Sequence, residues 1–321
     1  MEKAIGGYMC FEDNNVSHYH TDALRLNTAK NCLEYILRLR QYKHVYIPYL
    51  TCEVIKNPFD KLGIKYTEYS VNEELEPSNL PDLKDGEAFL YTNYFGIKSS
   101  YISYLSARFG HKLIVDNAQA FFDYPVDGID SFYSVRKFIG VSDGAYLYVD
   151  QKLKEEFPRD ISFERLTHLF KRIDLDPESC YNDFKQIEQL LYNEPIKRMS
   201  LVTETILSGI DYKRIKERRK RNFLYLHNYL RDTNRLKFDV TADMVPLVYP
   251  FLSSDTTLKD KLINKRIFIP TYWPHIIEQS DKLSKEYEFS THLIPLPIDQ
   301  RYDERDMERI INLINIFYNE R

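Results

Sequence analysis

The chain has 321 residues and a mass of 38.4 kDa, long enough to bury roughly three quarters of its unfolded surface without a disulfide or metal staple. Hydrophobic residues make up 43% and charged residues 29%, the balance of a globular protein and not of a disordered one. Lys and Arg number 44 against 48 Asp and Glu, a net charge of −4, which excludes a global basic field for nucleic acid or an anionic membrane.

In chain order, residues 28–42 (TAKNCLEYILRLRQY) place Leu33, Ile36, Leu37 and Leu39 near one face and predict a helix. Strands are predicted at 43–48, 63–71, 88–95, 111–116, 130–135 and 144–150, all rich in Val, Ile, Tyr and Phe and bounded by turn residues. Helical stretches separate several of them: TCEVIKNPFDKLG after the first strand, and 100–110, which ends on Gly110. This alternation predicts an α/β domain with a mostly parallel sheet. From 151 to 235 long helical periods take over, including FERLTHLFKRI, DFKQIEQLLY and a basic stretch from Tyr212. VPLVYPFL (245–252), KRIFIPTYWP (265–274), HLIPLP (292–297) and a last helix over 304–318 then mix strands and helices on a small scale. The expected organisation is a large α/β domain with a helical connection over 1–205 and a smaller α+β domain over 206–321.

Several chemistries are excluded by inspection. No two of the 10 glycines have the spacing of a dinucleotide fingerprint or a P-loop. Cys10, Cys32, Cys52 and Cys180 form no C-x-x-C pair and read as reduced thiols of a cytoplasmic protein. The first residues carry no signal-peptide pattern and no long apolar run appears, so a soluble, non-exported protein is expected. His18-Tyr19-His20 has strand spacing, but with no H-x-x-x-H pair and no matching cysteine a metal site is not expected. The run KRIKERRKR (213–221) wraps around a helix and reads as a solvated face with local acidic partners. Trp273, in Thr271-Tyr272-Trp273-Pro274-His275, reads as a buried side chain beside a turn ahead of the wall of a sugar pocket.

Asp116 ends the strand-like HKLIV run, where open α/β sheets place ligands. Alone it reads as a strand-end aspartate capping a turn, and Lys137 alone reads as a solvated loop lysine. Together they are the two groups that pyridoxal 5'-phosphate requires: a carboxylate for the pyridine N–H and an amine for the aldehyde. The start of the first helix, Thr28-Ala29-Lys30, offers backbone N–H groups, a hydroxyl and a cation for the phosphate, with simple N-capping as the equal alternative.

These segments resemble the DegT/DnrJ/StrS sugar aminotransferases, fold-type-I pyridoxal phosphate enzymes, over nearly the whole chain. Thr28-Ala29-Lys30-Asn31-Cys32-Leu33 is similar to the family's first helix start, and Val45 to Pro48 to its V-x-x-P strand end. Asp116-Asn117-Ala118-Gln119 resembles D-x-A-Q, which implies Asp116 as pyridine partner and Gln119 against the ring near its 3′-oxygen. Ser131-Phe132 through Lys137 to Ser142-Asp143-Gly144-Ala145 resembles the Schiff-base segment and implies Lys137 as its lysine. Arg136 is adjacent, but a guanidinium stays protonated and forms no Schiff base. The segment has one residue more than usual between serine and lysine, so either Ser131, weakly preferred, or Ser134 supplies the phosphate hydroxyl. Cys52 stands where an aromatic usually stacks on the ring, so either Cys52 lies over it or Tyr49 takes the role. Ile196-Lys197-Arg198-Met199-Ser200 resembles N-Y-R-M-S with Ile196 in place of the asparagine that reaches a partner subunit, and Asn193 is the shifted substitute.

The resemblance implies a homodimeric aminotransferase that moves an amino group, with glutamate as donor, onto a nucleotide-linked keto-sugar by ping-pong kinetics through a Lys137 aldimine. A regulatory binding protein that kept the fold, or a pyridoxal phosphate lyase or dehydratase, are the alternatives.

Overall fold

The computed structural model describes residues 5, 7–9, 11 and 17–319; Cys10 lies outside the described residues. Nine strands are formed among them: β1 Leu24–Leu26, β2 His44–Pro48, β3 Lys65–Tyr69, β4 Glu87–Thr92, β5 Leu113–Asp116, β6 Asp130–Ser134, β7 Ala145–Tyr148, β8 Tyr249–Leu252 and β9 Leu293–Leu296. The α-helices are α1 Ala29–Arg40, α2 Asn57–Leu62, α3 Ser99–Phe109, α4 Thr167–Asp174, α5 Pro177–Tyr192, α6 Leu201–Ser208, α7 Tyr212–Leu230, α8 Leu258–Asn264, α9 Pro274–Gln279, α10 Lys285–His292 and α11 Glu304–Asn319.

Seven strands make one sheet in the order β1-β7-β6-β5-β4-β2-β3. The run from β3 to β6 is parallel, β7 is antiparallel to β6, and β1 is antiparallel to β7. The parallel core follows from the crossovers: α2 joins β2 to β3, and α3 joins β4 to β5. β5 is buried throughout, as a strand covered on both faces must be. Ile114, Phe132 and Leu147 point to one face and pack on Leu33, Ile36 and Leu37 of α1. Val115, Tyr133 and Tyr146 point to the other, where the core continues to Ile215, Leu247 and Trp273. The sequence pattern overlooks β1, because three residues are too few to show alternation.

Beyond α6 the antiparallel pair β8–β9 packs with α7, α8 and α11 around Phe223, Leu226, Phe251, Leu262, Ile294 and Ile310. Residues 265–274 form no strand: Arg266 and Trp273 have φ of 63° and 53°, which break an extended run. Trp273 is buried edge-on to Tyr94. His18 and His20 bond the Tyr146 and Tyr148 hydroxyls at 2.7 and 3.0 Å, so both rings are committed to β7. No helix among the described residues is long and apolar enough to cross a membrane.

Candidate functional site

The parallel strands present their carboxyl ends to one edge, and Asp116 stands there at the end of β5. Asn93 N–H donates to its carbonyl at 3.0 Å and Asn117 N–H to the Phe132 carbonyl at 2.8 Å, so both neighbouring strands hold it in place. Its side chain, in a residue only 5% exposed, accepts one hydrogen bond at Oδ1, from Ala118 N–H at 2.8 Å. Among the described residues Oδ2 accepts none. Burial pushes this carboxyl above its ordinary range, while the charge of Lys137 and the Ala118 N–H pull it back.

Lys137 lies on the turn after β6, closed by Phe138 and Ile139 N–H groups donating to Val135 O at 2.9 and 3.0 Å. It is exposed, and its amine has no hydrogen-bond or ion-pair partner among the described residues, yet its charge acts on Asp116. Arg136 turns away and pairs with Glu188 of α5. The structure thus separates the two adjacent cations and gives the Asp116 side to the lysine.

Gln119 is 6% exposed, and its Oε1 accepts Phe95 N–H at 3.0 Å. This bond holds Phe95 at φ 56°, an uncommon conformation for an aromatic residue. Gly96 beside it is at φ +73°, and a Cβ there would stand 3.1 Å from the Gln119 carbonyl oxygen; glycine is required by the close approach.

The start of α1 sits against the same edge. Thr28 is the N-cap and accepts Asn31 N–H at 3.2 Å; Ala29 opens the helix. Asn27 O accepts Gly144 N–H at 2.6 Å, and Gly144 O accepts Val135 N–H at 3.1 Å, so Thr28 and the end of β6 are brought together. Lys30 departs from the expected cradle. Its amine donates to Tyr192 O at 2.6 Å and Glu194 O at 3.4 Å, and burial lowers its proton affinity. These carbonyls at the end of α5 take the cation that the sequence pattern assigns to phosphate.

The two serines are on opposite faces. Asp116 pairs with Phe132, so Ser134, two residues on, shares the face of Asp116 and α1. Ser131 points to the other face, donates to Ile129 O at 3.1 Å, and lines a cavity of about 410 Å³ with Val115, Asp123 and Lys216. The structure therefore brings Ser134, and not the preferred Ser131, to the site.

Cys52 is exposed on the turn after β2. Tyr49 is half-buried near Lys56, and Tyr94 OH donates to Leu50 O at 2.9 Å between them. Ile196 is 4% exposed inside the core beneath α1, while Asn193 is exposed at the end of α5.

Two features escape the sequence reading. Asp143, buried, accepts from Ser200 N–H at 2.8 Å, Ser200 Oγ at 2.7 Å and the Thr203 hydroxyl, which fastens the Gly144 turn to the start of α6. The sequence reading names Asp143 only as part of the turn after Lys137; the signal for its role is the S-x-x-T start of α6. The basic run also departs from a solvated face, because Arg219 is 1% exposed.

No protein-family model and no curated protein sequence matches the chain. Solved structures do. A DegT/DnrJ/EryC1/StrS aminotransferase from Brucella abortus aligns with TM-score 0.60 and 14% identity over 92% of this chain and 85% of that one. The sugar aminotransferase CalS13 from Micromonospora echinospora aligns with TM-score 0.60 and 12% identity over 91% and 86%. Spr1654 from Streptococcus pneumoniae in its PLP form aligns with TM-score 0.61 and 14% identity over 90% and 85%. At such identities the likeness establishes the fold: this chain has the mixed α/β architecture, with a mostly parallel seven-stranded sheet, of the sugar aminotransferases.

Proposed function

We propose that the protein is a pyridoxal-phosphate-dependent aminotransferase acting on a nucleotide-linked keto-sugar with glutamate as amino donor. The observation that carries this reading is the pair at the carboxyl edge. Asp116 is a buried carboxylate with an oxygen left unbonded among the described residues, and a buried anion needs a cationic partner. Lys137 is an amine without a partner among the described residues, and its charge reaches Asp116. That donor set fits pyridoxal phosphate: Asp116 would hold the pyridine N–H, Lys137 the aldehyde end, and Thr28 with Ser134 the phosphate. When bound, the cofactor supplies an electron sink for a carbanion at the donor's Cα. Lys137 Nζ would take and return the donor's Cα proton, and Asp116 would keep a proton on the ring nitrogen.

Residues 1–205 would form the cofactor domain and 206–321 the smaller domain that completes the site. A homodimer is supported by exposed Phe163, Phe170, Ile173, Leu175, Tyr181 and Leu190 on and around α4 and α5. Free Cys32, Cys52 and Cys180 suit a cytoplasmic setting. The sugar and its nucleotide rest on the family resemblance.

The deciding experiment is a visible spectrum of the protein with added pyridoxal phosphate, followed by borohydride reduction and mass mapping. A reducible band with its label on Lys137 is expected. No band and no label would move the protein to a binding role.

A further inference from the structure

Arg219 of α7 is a buried cation, 1% exposed, with no carboxylate pair among the described residues. Its Nε donates to Gln300 Oε1 at 3.0 Å, and its Nη1 to Leu247 O at 3.0 Å and Pro246 O at 3.3 Å. Its Cζ stands 4.6 Å from the centre of the Phe138 ring. The neighbouring acid, Asp299, accepts from Nε and Nη2 of Arg301. Burial pulls Arg219 down to about 10, which leaves it protonated at neutral pH. Burying such a charge without an ion pair is costly, and an apolar side chain would fill the space. The guanidinium does what an apolar side chain cannot: it aims fixed donors at several carbonyl groups at once.

Those bonds lead to both candidate cofactor contacts. Gln300, whose oxygen Arg219 holds, donates from Nε2 to Phe138 O at 2.8 Å, and Phe138 follows Lys137. Leu247, whose carbonyl Arg219 holds, donates from its N–H to Phe95 O at 2.9 Å. Phe95 N–H in turn donates to Gln119 Oε1 at 3.0 Å.

We propose that Arg219 is a positioning residue for the site: one hydrogen-bonded circuit through Gln300 and Leu247 holds the Lys137 turn and the Gln119 side chain in register. The inference rests on the reading that Lys137 and Gln119 serve pyridoxal phosphate. Under it, the small domain sets the geometry of the large domain's site through a single buried cation.

The test uses the full chain and two variants, Arg219→Lys, which keeps charge but loses the fork, and Gln300→Leu, at a half-buried position. Hydrogen exchange without cofactor should be faster by about tenfold at Phe95, Leu247, Phe138 and Ile139 in Arg219→Lys. In Gln300→Leu only Phe138 and Ile139 should respond, and Ile114 and Val115 in β5 should stay unchanged in both. With cofactor, Gln300→Leu should lower kcat of the glutamate half-reaction by about tenfold with KM little changed. It should also move the pH midpoint of the reducible band. Wild-type exchange at Phe138 and Phe95 in Arg219→Lys, or a wild-type band titration and kcat in Gln300→Leu, overturns the proposal. Absence of label on wild-type Lys137 removes the cofactor reading alone, and the exchange pattern still decides whether Arg219 holds the two segments.

Discussion

At the start of α1 the side-chain donors of Asn31 and Lys30 are committed within the chain, while the buried Asn31 Oδ1 accepts nothing among the described residues; at the end of β5 two ionisable groups keep bonding capacity unused. Asn31 Nδ2 donates to Asn27 Oδ1 and to Pro195 O, each at 2.8 Å, and Lys30 is held by Tyr192 O. Among the described residues Asp116 spends one oxygen and Lys137 nothing. Both clusters border the same edge and contain the residue types that bind phosphorylated cofactors. Residue type therefore distinguishes them poorly; what distinguishes them is that the unspent capacity at β5 belongs to an ionisable pair, and that at α1 to one amide oxygen. A buried polar group satisfied by its own chain stabilises the fold; one left unsatisfied costs stability unless a ligand completes it.

The largest effect that tests this contrast is at Lys137. Lys137→Ala should lower transamination by at least about 10³-fold, while Arg136→Ala, which removes an ion pair with Glu188, should stay within about threefold. Turnover measured with glutamate decides, and comparable losses in the two variants would mean that the turn does not discriminate its cations. Asp116→Asn comes next. It keeps the side-chain volume but cannot hold a proton on a ring nitrogen, and a loss of about 10²-fold with cofactor still bound is expected. Wild-type turnover in Asp116→Asn would remove its role as ring partner.

Much of this arrangement is legible in the sequence, for physical reasons. β4 to β7 announce themselves because β-branched and aromatic runs between turns are needed where a strand is largely covered on both faces, whereas the exposed edge strand β3 is legible from its turn-bounded, Tyr- and Thr-containing run alone. Asp116 and Lys137 are legible as a pair because strand ends and the turn after β6 meet at one edge. Three things were not legible. The fate of Lys30 depends on carbonyls at Tyr192 and Glu194, far along the chain. The choice between Ser131 and Ser134 depends on strand parity, which a one-residue count decides. Arg219 lies in a run of cations, and nothing in that run marks the one that turns inward. Long-range partners and facing are properties of the folded chain, so local pattern carries no signal for them.

Lys30 gives a smaller, stability-based test of the same contrast. Lys30→Met leaves the Tyr192 carbonyl without its donor and should lower stability by about 1–3 kcal/mol. Affinity for pyridoxal phosphate should change by less than about twofold. Denaturant unfolding and a cofactor titration measure the two quantities. A tenfold loss of affinity at unchanged stability would return Lys30 to the phosphate.

The smallest effect separates the two serines. Ser134→Ala should weaken pyridoxal phosphate binding by roughly tenfold, the value of one hydrogen bond to a charged acceptor. Ser131→Ala should leave affinity within about twofold, since its hydroxyl is given to Ile129 O on the far face. Fluorescence titration of the cofactor-free protein would rank them. The opposite ranking would require β6 to slip by one residue against β5, which would turn Phe132 from the α1 core and Tyr133 from its own face. Both rings are fully buried, so such a slip would place two large aromatic side chains in the wrong layers, and the register that seats them is the same one that aims Ser134 at the site.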